Sequence, residues 1–223
     1  MIVSCICHDL DHRGTNNAFQ AKSGSPLAML YGTKNTMEQH HFNQAVMILN
    51  CGDQNILSDL GSEEFSRLLS VMKHCILATD LYNYFQWRPK FLEMSSDART
   101  DWRKEENRRL LQAMLMTGCD LAASTKPWPI QYKVAQLVTT EFFDQGDKEK
   151  RELNLTPSAQ MDRNRIHELP SMQSKWIEEA CLPLYAALSV LDPALEPMRA
   201  GAEDNLARWK GLSRTGGCIQ SDL

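Results

Sequence analysis

The sequence predicts an all-α fold. Apolar residues recur at the three-and-four spacing of a helix face, as in Phe42, Ala45, Val46 and Leu49. No stretch shows the sustained alternation of apolar and polar residues between turn signals that is expected of strands. A length of 223 residues with 43% hydrophobic content is enough to bury one large core. We therefore expect a compact multi-helix bundle.

Five helices are predicted from this spacing and from local start and stop signals. The first starts behind Thr36 and stops at 50–52, and the second starts behind Ser62. The third runs through Leu110 to Asp120, the fourth runs from Ile130 into Phe143, and the fifth begins at Pro170 and extends through Leu188. The two prolines of Lys126-Pro127-Trp128-Pro129 separate the third helix from the fourth, because proline cannot donate a backbone hydrogen bond. The polar residues 144–168, with Gly146 and Pro157, predict a long surface loop. From Gly211 onward we expect a disordered tail.

Composition excludes several classes of function. The net charge of −4 and the pI near 5.9 leave no basic stripe for nucleic acid. Seven cysteines are an odd number at no zinc-knuckle spacing, and the chain opens without a signal peptide pattern, which indicates reduced thiols and a cytoplasmic location. No apolar run approaches the roughly 18 residues that a membrane-spanning helix needs.

Four metal-ligand side chains lie within five residues near the start of the sequence: His8, Asp9, Asp11 and His12. On a helix the two histidines would share one face, because they are four residues apart. Imidazole with carboxylate suits zinc, and a carboxylate can also bridge to a harder ion such as magnesium or manganese. A histidine pair at this spacing can also simply cap or pack, but the added aspartates favour a metal site.

Three further carboxylates are candidates for the same chemistry. Glu38 could hold a metal-bound water, or could be an ordinary acidic residue near a helix N-terminus. Asp120 lies between apolar runs and must be paired or metal-bound there, unless it caps the next turn. Asp80 follows an apolar run in the same way, so it too could be paired, bound to metal or a helix cap.

Gln173 and Trp176 are three apart and lie on one side of the last predicted helix. An amide can exchange two hydrogen bonds with the edge of a purine, and an indole offers a stacking face. The pair could therefore clamp a base, although helical Gln and Trp are more often surface and core residues.

These residues, in this order, resemble the catalytic domain of the class I cyclic nucleotide phosphodiesterases, up to about Trp209. The matching strings are HDLDHRGTNN (8–17), ILATDL (76–81), LMTGCDL (115–121), TKPW (125–128) and EFFDQGD (141–147). The branch that it looks most like hydrolyses cyclic GMP, or both cyclic nucleotides, and carries N-terminal GAF domains. Trp176 favours the dual-specificity type within that branch.

The resemblance implies a phosphodiesterase (HD-type) catalytic domain over 1–210 that hydrolyses cyclic GMP or cyclic AMP to the 5′-monophosphate, with 211–223 as tail. It implies that His8, Asp9 and Asp120 bind metal, with Asp9 bridging Zn²⁺ to Mg²⁺ or Mn²⁺. His12 and Glu38 match positions that hold water on the second ion. Nucleotide-binding roles are implied for five residues: Gln173 on the purine edge, Trp176 in the clamp, and Leu81, Val138 and Phe142 in the pocket wall.

One departure from the family pattern limits this reading. The family has a His-Asn-x-x-His-Ala motif upstream of the segment that matches His8. One histidine of that motif is the proton donor and the other is a further zinc ligand, and the motif does not occur in this sequence. The uncapped apolar residues before His8 also indicate a chain that starts inside a helix. We therefore expect an N-terminally truncated domain that retains no proton donor and is weakly active or inactive.

Two alternatives remain open: a catalytically lapsed nucleotide-binding or dimerisation module, and a fragment with no function of its own. Candidate partners are the cyclic nucleotide or its 5′-monophosphate, and a second copy or a full-length subunit. Ser221-Asp222-Leu223 also suits strand addition to a PDZ domain.

Overall fold

A computed structural model of the chain describes residues 1–215, and these form helices without a β-strand. The all-α prediction is therefore confirmed. The α-helices of the described residues are α1 (Ile2–Cys7), α2 (Asn17–Lys22), α3 (Pro26–Tyr31), α4 (Thr36–Leu49), α5 (Ser62–Leu77), α6 (Leu81–Ser96), α7 (Glu105–Asp120), α8 (Trp128–Leu153), α9 (Leu169–Trp176), α10 (Leu182–Leu191) and α11 (Glu196–Thr215). Within this part of the chain no helix is both long and apolar enough to cross a membrane.

The described chain divides into two compact units. The first comprises Met1–Phe91 and Asp101–Asp120, and the second comprises Leu92–Thr100 and the chain from Leu121 onward. The metal-ligand candidates of the sequence analysis all belong to the first unit. Gln173, Trp176, Val138 and Phe142 belong to the second.

The first unit is built around an apolar cluster on α4 and α5. Ala45, Leu49 and Met72 are buried in it, and Val3 of α1 and Leu10 pack against them. This burial holds α1 on the core and carries the following turn with it, since Leu10 is itself part of the cluster. The turn that contains the histidine–aspartate motif is thus anchored through its one apolar side chain.

The second unit is centred on Trp209 of α11, which is fully buried. Its indole N–H donates to Gln131 Oε1 at 2.9 Å, and its ring lies 5.0 Å from Trp128 and 5.5 Å from Tyr132 between centroids. The nearby Asn205 amide donates to the carbonyls of Ser124 and Lys126 at 2.9 and 2.8 Å. These two hydrogen bonds from the buried Asn205 amide fix the segment before α8 against α11.

The predicted loop over 144–168 is wrong for its first ten residues, because α8 continues through Leu153. Gly146 does not end the helix there. A Cβ atom at this position would lie 1.9 Å from the carbonyl oxygen of Met161, so glycine allows the chain after α8 to pack directly onto the helix. Arg163 then bonds Asp144 and Asp147 at 2.8 and 3.1 Å.

The predicted tail also needs correction at its start. Helix α11 extends through Thr215, so residues 211–215 are helical and not disordered. Residues 216–223, with the Ser221-Asp222-Leu223 candidate motif, lie outside the described residues.

Candidate metal and nucleotide sites

The histidine–aspartate motif lies on a turn and not on a helix, which corrects the premise that His8 and His12 share a helical face. Helix α1 ends at Cys7, and the chain turns through two backbone hydrogen bonds, from Leu10 N–H to the Cys7 carbonyl and from His12 N–H to the Asp9 carbonyl. Asp11 has a φ of 57°, in the left-handed region that ends any right-handed helix. His8 and His12 are therefore on opposite sides of a break in the helical backbone and do not share a helical face.

Three of the predicted ligands converge in the first unit. His8 Nε2 lies 3.1 Å from Asp9 Oδ2 and 3.2 Å from Asp120 Oδ1, although Asp120 is at the end of α7, 112 residues further along the chain. Among the described residues these three form a group whose ligand atoms all lie within 4.8 Å of one another. The structure thus brings together the side chains that the family resemblance assigns to metal.

The chemistry of this group fits a divalent cation. His8 Nδ1–H donates to the carbonyl of Cys5 at 2.8 Å, which leaves a lone pair on Nε2 in the neutral ring. This lone pair faces two carboxylate oxygens, so the group needs a positive charge. A proton can supply it, and the hydrogen bonds that the protonated ring donates to Asp120 and then to Asp9 raise the pKa of His8 to about 11.

A metal ion can replace that proton. Two ligands that each lie about 2.1 Å from one ion are at most about 4.2 Å apart, and the observed distances of 3.1 and 3.2 Å fall inside this limit. A histidine that ligates through one nitrogen and donates the other N–H to a carbonyl is the usual arrangement at such centres. The three residues present therefore fit a divalent cation, with all their ligand atoms within 4.8 Å of one another.

His41 of α4 lies directly behind the turn. Its Nδ1–H donates to the carbonyl of Leu10 at 2.6 Å, and its Nε2 lies 3.7 Å from Asp9 Oδ1. The ring is buried, which lowers the pKa of His41. His12 stacks against it with a centroid distance of 5.7 Å, and Gly14 N–H donates to His12 Nδ1 at 3.1 Å. His12 therefore lies beside Asp9 but outside the three-residue group.

Glu38 belongs to a separate polar network of the first unit. Asn17 Nδ2 donates to Glu38 Oε2 at 2.9 Å and lies 3.4 Å from Asp80 Oδ2, to which Asn35 Nδ2 also donates, at 2.6 Å. Burial, with a contribution from the nearby Asp80 carboxylate, raises the pKa of Glu38 to about 7. Glu38 can therefore exchange a proton close to neutral pH.

Sequence reasoning missed the two amides of this network. Asn17 was considered only as part of the motif string 8–17, and Asn35 was not considered. Asn35 has a φ of 52°, which suits asparagine before a helix. Asn17 also accepts from Met37 N–H at 2.8 Å, so it ties the start of α4 to the motif segment. A pocket of about 450 Å³ opens beside the network and is lined by Asn17, Lys34, Asn35, Asp80 and Tyr82, among others.

The predicted nucleotide-binding residues are distributed over three helices. Gln173 and Trp176 are half-buried on α9, and Val138 (42% exposed) and Phe142 lie one helical turn apart on α8. These four residues are in the second unit, whereas Leu81, the first residue of α6, is in the first. The three-residue spacing places Gln173 and Trp176 on one side of α9, as predicted.

Known proteins resemble this chain over almost its whole length. The family described as 3′5′-cyclic nucleotide phosphodiesterase matches residues 1–202. A dual 3′,5′-cyclic-AMP and -GMP phosphodiesterase 11A of Takifugu rubripes is 53% identical over 96% of the chain, and phosphodiesterase 11 of Drosophila melanogaster, also named as dual, is 52% identical over 96%. A cGMP-specific 3′,5′-cyclic phosphodiesterase of Drosophila pseudoobscura pseudoobscura is 50% identical over 96%.

The matched region is a small part of those relatives. The chain covers 24%, 15% and 19% of their respective lengths, so it spans a quarter of each or less. Their names include both the dual and the cGMP-specific enzymes that the motif strings resemble. With a family match over most of the sequence and half of its residues identical to those of the relatives, the chain belongs to the 3′5′-cyclic nucleotide phosphodiesterase family.

Proposed function

We propose that this chain contributes metal-binding and nucleotide-binding residues to the hydrolysis of the 3′,5′-cyclic phosphodiester of cyclic GMP or cyclic AMP. The observation that carries the proposal is the convergence of His8 Nε2 on oxygens of Asp9 and Asp120. Family membership and the names of the relatives support the reaction class. In this reaction water adds to phosphorus, the bond to the 3′ oxygen breaks, and that oxygen takes up a proton to give the 5′-monophosphate.

Zn²⁺ and a harder ion, Mg²⁺ or Mn²⁺, are the cofactors we propose. His8, Asp9 and Asp120 are assigned to zinc, since imidazole with carboxylate suits it. The Asp9 side chain is 61% exposed, and its second oxygen, Oδ1, is not the one nearest His8 and lies 3.7 Å from His41 Nε2, so we assign this carboxylate to the other ion as well. When bound, such a pair of ions stabilises charge on the phosphoryl oxygens and lowers the pKa of water.

His12 and Glu38 are assigned to hydrogen bonding with water near the second ion. The bond from Gly14 N–H to Nδ1 and the stacking on His41 set the orientation of the His12 ring. Glu38, with a pKa of about 7, can accept or donate a hydrogen bond near neutral pH. In this proposal both residues hold that water, and the ions contact the phosphate.

The base is assigned to the second unit. The Gln173 amide can pair with the purine edge, and Trp176, on the same side of α9, can stack on the ring. Val138 and Phe142 of α8 are assigned to apolar contact with the base, and Leu81 of the first unit is assigned the same role by the family resemblance alone. The rotation of the Gln173 amide would then decide between the guanine and adenine edges.

The competing function is nucleotide binding without turnover. The family resemblance assigns the proton donor to a His-Asn-x-x-His-Ala motif, which these 223 residues do not contain. Near the ligand group, His8 is engaged by two carboxylates and His41 by the Leu10 carbonyl. Absence of a general acid costs about 10²–10⁴ in rate. We therefore expect the 223-residue polypeptide to bind the 5′-monophosphate and to turn over cyclic nucleotide slowly at most.

A location in the cytoplasm is proposed from the odd cysteine count and from the cytosolic signalling substrate. A second copy of the chain and a PDZ domain that binds the C-terminal residues stay candidate partners. Both can be tested directly, by the oligomeric state in solution and by a peptide of the last residues against a PDZ panel.

Turnover and binding should be measured side by side on the 223-residue polypeptide with Zn²⁺ and Mg²⁺. Conversion of cyclic GMP and cyclic AMP is followed by chromatography, and binding of 5′-GMP and 5′-AMP by calorimetry. Slow, chelator-sensitive turnover that is lost in Asp9→Asn supports the phosphodiesterase assignment. Binding alone supports the competing function, and the absence of both turnover and binding would contradict both readings.

A further inference from the structure

The turn that carries Asp9 is held by unusual backbone geometry at Asp11. Its φ of 57° is one that most residues other than glycine avoid, although aspartate tolerates it better than most. The Asp11 carboxylate accepts two hydrogen bonds at Oδ2, from His40 Nε2–H at 2.8 Å and from an Arg13 guanidinium N–H at 2.6 Å. These bonds support a conformation that the backbone alone would not favour.

The two partners of Asp11 differ in their surroundings. The Arg13 side chain is 51% exposed, and an ion pair so open to water contributes little to stability. His40 is only 4% exposed, on the buried side of α4. A hydrogen bond from a buried donor to a carboxylate is stronger and holds one geometry. His40 is therefore the partner that can fix the turn.

The His40 ring makes no other hydrogen bond among the described residues. Its Nδ1 is buried without a partner, so the ring keeps one unsatisfied polar atom in the core. An apolar side chain of similar size would avoid this cost and would still pack beside the Tyr31 ring, 5.7 Å away between centroids. The polar contact that distinguishes His40 from such a residue is its bond to Asp11.

The next residue of α4, His41, binds the residue that precedes Asp11 in the turn, Leu10. His41 donates to the Leu10 carbonyl at 2.6 Å, while the Leu10 side chain packs in the apolar cluster. Consecutive residues of α4 thus hold consecutive residues of the turn. Asp9, immediately before them, has a 61% exposed side chain that lies near His8 and His41, and its place in the chain depends on how residues 10 and 11 are held.

We propose that His40 is a positioning residue: its Nε2–H bond to Asp11 holds the turn 8–14 in the conformation in which Asp9 faces His8 and Asp120. The consequence for metal affinity rests on the proposed function, whereas the effect on the turn does not. Residues that orient the ligands of a metal ion without touching the ion typically change its affinity on the order of 10–100-fold when mutated.

Three variants of the 223-residue chain separate this bond from ring packing. His40→Phe keeps a ring and removes the donor, whereas His40→Gln removes the ring and keeps an N–H group near the position of Nε2. Arg13→Gln is the matched control, because it removes the exposed partner of Asp11 and leaves His40 in place. Amide hydrogen exchange of a peptide covering 8–14 is measured without metal, and zinc affinity by competition with a chromophoric chelator.

We expect faster exchange in 8–14 and zinc affinity lower on the order of 10–100-fold in His40→Phe. Exchange in α5 and α8 should stay at the parent rate. His40→Gln should recover most of both losses, and Arg13→Gln should resemble the parent. Parent-like exchange in His40→Phe, or equal losses in His40→Gln and His40→Phe, would overturn the proposal, because ring packing would then be what matters.

Two outcomes remain to be separated. If the parent retains no zinc, the proposed metal site fails, and the exchange comparison still decides whether His40 sets the turn. If His40→Phe does not fold, Asp11→Gly and Asp11→Asn replace it, since both tolerate a positive φ and only asparagine keeps the oxygen acceptor. Faster exchange in Asp11→Gly than in Asp11→Asn is then expected, and equal rates would contradict the proposal.

Discussion

Replacing Glu38 by glutamine should stabilise the metal-free chain above pH 7, although Glu38 is a proposed functional residue. The carboxyl group is buried near Asp80, which raises its pKa from 4.5 to about 7. Asp9 contributes repulsion in the same direction. Glutamine keeps an oxygen that can accept the hydrogen bond from Asn17 Nδ2, and it carries no charge to be desolvated.

The size of the effect follows from linkage between protonation and folding. A pKa of about 7 in the folded chain against 4.5 in the unfolded chain corresponds to about 3 kcal/mol against the charged, folded form. Because the folded state binds this proton more tightly, the penalty is absent below the unfolded pKa, grows as pH rises from 4.5 to about 7, and is complete above that. Glu38→Gln should therefore gain about 3 kcal/mol near pH 8 and less than about 1 kcal/mol near pH 5.

Urea unfolding in the presence of a chelator, at about pH 8 and about pH 5, measures this difference as a change in the free energy of unfolding. Asp59→Asn is the matched control, since it makes the same chemical change at an exposed loop residue and should leave the pH dependence as in the parent. Destabilisation by Glu38→Gln near pH 8, or the same gain at both pH values, would refute the reasoning that burial of charge strains this position.

Two further predictions concern the second unit. Trp176→Ala should weaken binding of 5′-GMP or 5′-AMP by about 1–3 kcal/mol, the usual value of a stacked base, and equal calorimetric affinities in parent and variant would remove the clamp. Gly146→Ala should lower the free energy of unfolding, because overpacking against the Met161 carbonyl, at 1.9 Å, outweighs a helix-propensity gain of about 1 kcal/mol. Gly211→Ala, with nothing within 4 Å of the new methyl group, should be neutral or stabilising, and equal thermal melts of the two variants would contradict the packing at Gly146.

The helices that sequence could predict are those with local signals at both ends. Helix α4 begins at Thr36 and α5 at Ser62, each one residue before the start that was predicted behind these residues, and α4 ends at Leu49, before the predicted Asn50-Cys51-Gly52 stop. Gly146 misled the prediction because its reason is not local. The glycine is needed where the Met161 carbonyl approaches α8, and nothing in the residues next to Gly146 reports that contact.

The candidate site shows the same division. His8 and Asp9 stand out in a short motif, whereas Asp120 joins them through packing of α1 and α7 across 112 residues, and only family resemblance pointed to that pairing. The helical spacing assumed for His8 and His12 was wrong because Asp11 adopts a left-handed conformation that its side-chain bonds support. The bond from His40 depends on the packing of α4 against the turn, and His40 lies 29 residues further along the chain than Asp11.

The central claim is that His8, Asp9 and Asp120 together hold a metal ion, and zinc content after dialysis tests it most directly. The parent, Asp120→Ala and the surface variant Asp59→Ala are loaded with Zn²⁺, dialysed and analysed by atomic emission, with circular dichroism as the check on folding. We predict that the parent and Asp59→Ala retain zinc and that Asp120→Ala, still helical, loses it. Equal zinc content in Asp120→Ala and the parent would contradict the account.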